Sequence, residues 1–328
     1  MTRLLKLPFV LCSLLGCSAA PPTETLEVQT LQDGLTLVGS CPSWTDPTYA
    51  VTNNPSSGDV YATPADNLQA KYDTVPAGKC LVMSSGTFNT HLVLRNNTCI
   101  KGQGPANTII QSTYDGNVVS SVNIQNVAIS GVTFNGGNHA GHCFRSANTD
   151  GLDLENIRAF HCGDSNSGYA FGFQYSSNNT TDGIHKNISM TNIFAKDIAA
   201  DGIDFKNRKG QNTNIVLNRV RVHSYGNNGT AHKTGIDLRG DDIEVTDAWI
   251  TQLGHSDNAG VRTREDSATN GPGGTNVVLD GIVVLATSGL TGAVGLELKN
   301  GPVSVDNYCV NVNITHPCWG DDWCSSAY

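Results

Sequence analysis

The sequence predicts an all-β fold, a single-stranded parallel β-solenoid, and three observations predict it. The first is a short frame that recurs along the chain. It is seen in Asp201-Gly202-Ile203-Asp204-Phe205-Lys206, Gly235-Ile236-Asp237-Leu238-Arg239, Gly260-Val261-Arg262-Thr263-Arg264 and Gly295-Leu296-Glu297-Leu298-Lys299. Gly141-His142-Cys143-Phe144-Arg145 and Ala170-Phe171-Gly172-Phe173-Gln174 fit it more loosely. A small residue is followed by alternating apolar and polar positions, the period of a strand with one face buried. The second observation is the spacing: copies return every few tens of residues, as in one supersecondary unit stacked many times. The third is composition. Glycine is frequent at 35 residues and charged residues are only 15%, and no recurring helical pattern separates the strands, which argues against an α/β sheet.

Each copy is followed by a second run, as in Ile188-Ser189-Met190, Ile215-Val216-Leu217, Ile243-Glu244-Val245, Val277-Val278-Leu279 and Val303-Ser304-Val305. A polar corner, often Asn or Asp, then leads to a third apolar run. Short strands joined by polar corners wind into a coil, with Ile203, Phe205, Ile236 and Leu238 inward. Trp249 also falls at an inward position. The chain has 328 residues, and a solenoid is one cooperative stack, so one folded domain is expected.

Residues 1–17 read as a targeting segment. A basic start with Arg3 and Lys6 precedes an apolar run too short to span a membrane. Leu14-Leu15-Gly16-Cys17 resembles a bacterial lipobox, with Cys17 as the lipidated residue; cleavage after Ala20 is the competing reading. The protein is therefore expected outside the cytoplasm, secreted or as an outer-membrane lipoprotein, touching membrane only through a lipid at Cys17. Residues 18–74 are expected to form a tether and an irregular N-terminal wrap. Eight cysteines remain beyond the leader, an even number that suggests disulfides in an exported chain. Cys80 with Cys99, and Cys143 with Cys162, are near enough in sequence to pin adjacent turns. Cys309, Cys318 and Cys324 cluster with Trp319 and Trp323, which suggests a C-terminal cap over 311–328.

The coil is expected over 75–310. It opens with Val75-Pro76-Ala77-Gly78-Lys79-Cys80-Leu81, then Ile100-Lys101-Gly102-Gln103-Gly104-Pro105 and Thr108-Ile109-Ile110. This succession resembles the entry turn of the pectate-lyase-like superfamily of right-handed parallel β-helix proteins. The resemblance covers most of the chain and implies the fold, including its hand. It implies less about chemistry, because lyases, epimerases, hydrolases and phage adhesins share the scaffold. The Arg-rich signature of pectate lyases and the Asp-Pro-His-Asp motif of secreted alginate epimerases are absent. Asn148-Thr149-Asp150-Gly151 echoes a polygalacturonase motif, but the partner motifs do not follow at the right spacing. No phosphate loop, nucleophile elbow or nucleotide fingerprint is present, and no nucleic-acid partner is expected.

Set in the register of the frame, one outward column reads Cys143, Gly172, Asp204, Asp237, Arg262, Glu297. A second reads Arg145, Gln174, Lys206, Arg239, Arg264, Lys299. Successive rungs lie about 4.8 Å apart, so Lys206, Arg239 and Arg264 are expected to form a cationic rail. That rail runs against a chain carrying 29 acidic and 20 basic side chains. Long polar excursions near 161–186, 225–233 and 266–274 are expected to wall a groove beside it.

The resemblance implies a polysaccharide lyase cleaving a uronate polymer, such as pectate or alginate, by β-elimination. In that reading Lys206 and Arg239 are the catalytic pair. Asp201, Asp204 and Asp237 are Ca²⁺ ligands. Arg145, Gln174, Arg262, Arg264, Tyr175 and His232 contact substrate. A C5-epimerase, a β-helix glycoside hydrolase and a non-catalytic glycan binder are the alternatives. A monomer acting on an acidic polysaccharide is expected.

Overall fold

The computed structural model describes residues 53–164, 172–176, 184–206, 212–227, 233–252, 258–263, 276–286, 293–298, 303–310 and 316–320, with 29–30, 35–37 and Trp44. For Ser176, Lys206 and the strands at 29–30, 35–37 and 316–320, the backbone alone is described. The leader and Cys17 lie outside these residues.

The chain winds into a right-handed parallel β-helix. Long strands turn corners without breaking, as Phe144–Cys162, His185–Ile198, Asn212–Tyr225 and Asp241–Gln252 do. Each pairs in parallel with the equivalent part of the next coil. On one face, Phe144 aligns with Phe173, then Ile203, Ile236, Val261 and Leu296. A second face aligns Leu152 with Ile188, Ile215, Ile243, Val277 and Val303. A third aligns Ala159 with Ala195, Val222, Ile250, Val284 and Val310.

The interior is a stack of like on like. Ile203, Phe205, Ile236 and Leu238 are buried as the sequence pattern expects. The recurring glycine of the frame has a packing reason. A Cβ on Gly202 would sit 2.4 Å from Val222 Cγ1, and one on Gly235 would sit 2.6 Å from Ile250 Cγ2. Only a missing side chain lets the corner close onto the third face.

The polar corners also have a reason. Asn97, Asn126, Asn187, Asn214 and Asn276 have φ between 52° and 57°, the left-handed region that Asn tolerates better than most residues. Their amides bond up and down the coil: Asn126 Nδ2 donates to Asn97 Oδ1 at 3.0 Å, and Asn214 Nδ2 to Asn187 Oδ1 at 2.7 Å. Disulfides form between Cys80 and Cys99, which face each other on neighbouring coils, and between Cys143 and Cys162. The second pair brackets the single long strand Phe144–Cys162 and so ties the two ends of one coil, rather than adjacent coils as the spacing suggests. Cys309 is also disulfide-bonded.

Four features at the ends and on one face differ from the sequence pattern. The N-terminal wrap includes a short helix, Leu68–Asp73, capped by Asn67 Oδ1 accepting from Ala70 N at 3.0 Å, with Leu68 and Tyr72 buried over the first coil. The segment expected as tether carries the strand Leu35–Leu37, which pairs in parallel with Tyr308–Val310 at the far end. The ladder also continues beyond 310, because His316–Gly320 pairs with Val294–Leu298. Trp249 is half-buried and outward, packed against Trp44 with ring centroids 6.5 Å apart. A bulky apolar residue can occupy an outward position when another segment covers it, which period-two reasoning does not see.

Candidate functional site

The first face carries the candidate site, and its register corrects the sequence alignment. Arg145 and Gln174 align with Asp204 and Asp237, and then with Arg262 and Glu297. They do not share a column with Lys206 and Arg239. Lys206 aligns with Ser176. The slip of two residues arose where the looser copies at 141–145 and 170–174 were placed on the frame by composition.

The observed column is thus Arg145, Gln174, Asp204, Asp237, Arg262, Glu297. Except for half-buried Arg145 it is enclosed: Asp204 is 1% exposed, Asp237 0%, Arg262 3% and Glu297 6%. Asp201, at the corner before the strand Ile203–Lys206, is buried as well. The charges are paired within the enclosure. Arg239 Nη2 lies 3.0 Å from Asp237 Oδ2, and Arg239 is 3% exposed. Arg262 Nε donates to Glu297 Oε2. The backbone N–H of Thr234 donates to Asp201 Oδ1 at 2.6 Å.

Asp201, Asp204 and Asp237 come together. One oxygen from each lies within 4.8 Å of the others. Burial, followed by the neighbouring charge of Asp237, raises the Asp201 carboxyl to about 6; the Thr234 N–H, Lys233 and Arg262 pull the other way. Burial alone would lower the Arg262 guanidinium, but Asp237, Glu297 and Asp201 outweigh it and hold Arg262 above its ordinary value. Tyr225, wholly buried with its hydroxyl donating to Ala259 O at 2.7 Å, is raised well above 10 by burial first and Asp201 second.

Ca²⁺ binds oxygens at about 2.3–2.6 Å, so two of its ligand atoms can be at most roughly 5 Å apart. The three carboxylates meet that limit, and their hard oxygen donors suit Ca²⁺ chemistry. Two features mark the cluster as more than a solvated acidic face: it is buried, and guanidinium groups offset its charge. Unpaired, such a concentration of carboxylates in the interior would be strongly unfavourable.

The other sequence-nominated residues separate. The cationic rail is corrected at Arg239, which is locked onto Asp237 and does not line an open groove. Arg262 is similarly held by Glu297 and is 3% exposed. Tyr175 is corrected from substrate contact to core: it is 0% exposed and stacks on Phe205 at 4.3 Å with an interplanar angle of 2°. Alternation in Phe173-Gln174-Tyr175 already placed it inward. Arg264 and His232 lie outside the described residues, as does Lys299, and so do most of the three long excursions. The Lys206 side chain is also outside them, though its backbone ends the strand that carries Asp204. Sequence reasoning missed Glu297 as the partner of Arg262; their alignment on successive rungs was the available signal.

No family model matches the chain, and no curated protein matches it in sequence. Solved structures do resemble it. YbhC from Escherichia coli is similar at 11% identity, covering 86% of this chain and 89% of that one, with a TM-score of 0.52. An alginate lyase from Paenibacillus sp. FPU-7 is similar at 13% identity over 78% of this chain and 98% of that one, with a TM-score of 0.49. A pectin methylesterase from carrot is similar at 12% identity over 78% and 85%, with a TM-score of 0.45. Identities this low speak to fold alone. Two disulfides fit an extracytoplasmic chain. Among the described residues, no helix is long and apolar enough to cross a membrane.

Proposed function

We propose that the protein is an extracytoplasmic enzyme that cleaves an acidic, uronate-containing polysaccharide by β-elimination at the face carrying Asp204 and Lys206. The observation that carries this is the convergence of Asp201, Asp204 and Asp237 within 4.8 Å, where Asp204 lies on the strand that ends at Lys206 and Asp237 on the strand paired with it. β-Elimination needs a base for the proton next to the uronate carboxylate, and a cationic environment for the charge that develops there. Lys206 lies two residues from Asp204 on the same strand and is the candidate base. Bound Ca²⁺ would neutralise the uronate carboxylate. Asp201, Asp204 and Asp237 would hold it, and Arg239 positions Asp237 through their ion pair.

A second reading, glycoside hydrolysis, has one observation of its own. Asp201 keeps its proton up to about pH 6, while Asp237, close by, is paired with Arg239. A protonated acid beside an ionised carboxylate is the division of labour hydrolysis uses. One assay separates the two. Incubation with polygalacturonate and alginate should generate products with the ultraviolet absorbance of an unsaturated uronate. New reducing ends without that absorbance would establish hydrolysis instead. No product from either polymer would remove both readings.

A further inference from the structure

The outward column that carries Asp204 has a second half, which the proposed chemistry leaves unused. Towards the first coil it continues from Gln174 to Arg145, Ser120 and Val93. With rungs about 4.8 Å apart, Val93 to Asp204 spans roughly 19 Å. Exposure rises along it, from Gln174 at 6% through half-buried Arg145 and Ser120 to Val93 at 54%. The neighbouring outward row adds Val122, which is 57% exposed and aligned with Ala147. The helix Leu68–Asp73 lies against the Val93 end, where the Val93 N–H donates to Gln69 Oε1 at 2.8 Å.

Arg145 is the unusual group on this stretch. Among the described residues nothing hydrogen-bonds or ion-pairs with it, and its Nε is shut off from water with no acceptor in reach. Burial lowers its guanidinium below the ordinary value, and no charged neighbour offsets that. The rungs beyond Asp204 differ: there Arg239 engages Asp237 and Arg262 engages Glu297. Sequence explains the difference. Residues 91–95, 117–123, 142–148 and 172–176 build the four rungs from Val93 to Gln174, and none is Asp or Glu. The other arginine among them, Arg95, is already engaged: its Nη1 donates to Tyr72 O at 2.9 Å and to Asp73 O at 2.6 Å. A half-buried guanidinium without an acceptor has lost water and gained nothing in return. An anion brought by a ligand would supply the missing partner.

We infer that Arg145 is the acid-recognising residue of a substrate subsite, taking one carboxylate of an acidic polysaccharide two rungs from the Asp204 cluster. A guanidinium presents parallel N–H donors that match the two oxygens of a carboxylate. Two rungs are roughly 10 Å, further than one pyranose ring reaches. The acid at Arg145 therefore belongs to a different sugar from the one at Asp201, Asp204 and Asp237. The subsite selects for acidic neighbours along the polymer and takes no part in the bond-breaking. The bound chain runs from Asp204 towards the first coil, over Ser120 and the exposed Val93 and Val122. The class of ligand rests on the proposed action on a uronate polymer; the unpaired guanidinium does not.

The test is calorimetric binding of oligosaccharides from polygalacturonate and alginate, with Ca²⁺ present, to the full chain carrying Lys206→Ala so that ligand is not consumed. Arg145→Gln and Arg145→Lys are added to that parent, and methyl-esterified oligogalacturonate is the neutral control. Arg145→Gln should weaken binding of the acidic ligands by at least about tenfold and leave the esterified one unchanged. Arg145→Lys, which keeps the charge but not the fork, should lose less. Added salt should weaken the parent more than Arg145→Gln. The melting temperature of Arg145→Gln should stay that of the parent, because no partner is abandoned. Unchanged affinity for the acidic ligands in Arg145→Gln would overturn the inference. So would an equal loss for the esterified ligand, a melting temperature that falls along with affinity, or no binding of either acidic ligand by the parent. The proposed chemistry fails separately: Arg145-dependent binding with no unsaturated product from the unsubstituted protein would remove the lyase reading and keep the subsite.

Discussion

Replacing Asp237 by Asn removes one charge from an ion pair whose partners are 0% and 3% exposed. The shape is kept, but the Arg239 guanidinium loses the charge of Asp237 in a place water barely reaches. Breaking a buried pair from one side costs about 3–5 kcal/mol. Unfolding entropy of about 2.1 cal/mol/K per residue over a coil of this length corresponds to roughly 0.5 kcal/mol per degree. The melting temperature should therefore fall by roughly 6–10 °C. Differential scanning calorimetry with excess chelator isolates the ion pair from any effect of metal. Asp237→Asn/Arg239→Gln removes both charges and should recover part of the loss, since the penalty lies in the abandoned partner. A drop of under about 1 kcal/mol, the range of exposed pairs, would refute the description of the cluster as enclosed.

Three further outcomes follow from the same geometry. Ca²⁺ at a hundredfold excess over its dissociation constant should stabilise the protein by about 2.7 kcal/mol; Asp204→Asn should abolish that shift in a thermal melt. Burial depresses His185 from 6.5 to about 3, so it is neutral when folded and takes up a proton when unfolded. Its stabilising contribution is complete above about pH 6.5 and is lost as pH falls towards 3, at most about 5 kcal/mol. Urea midpoints across that range should show the slope, and His185→Gln should flatten it. Lys206→Ala should lose turnover by several orders of magnitude with polymer binding intact, whereas Arg239→Ala should act first on stability. Paired kinetics and melts of the two variants check that division.

Much of the fold was legible because its physics is local and repeated. The alternation in Gly202-Ile203-Asp204-Phe205 fixes which side chains enter the coil. The small residue at the corner is required by the approach of Val222, and the Asn and Asp corners by left-handed backbone. The three carboxylates were legible for the same reason: Asp204 and Asp237 occupy one position of the frame, and Asp201 precedes it at the corner. Enclosure was not legible. Period two distinguishes inward from outward, but not outward-and-exposed from outward-and-covered. Arg239, Arg262 and Trp249 therefore changed roles once their surroundings were seen. Register was also weakly determined in the looser copies, because Phe144-Arg145 and Phe173-Gln174 could be slid along the frame without changing their apolar pattern.

The claim on which the account rests is that the Asp201–Asp204–Asp237 cluster works through a bound cation. Turnover of polyuronate by chelator-treated protein, followed as ultraviolet absorbance while Ca²⁺ is added back, tests it most directly. The account expects no turnover in chelator, recovery on addition of Ca²⁺, and no recovery in Asp204→Asn. Full turnover in excess chelator would contradict it.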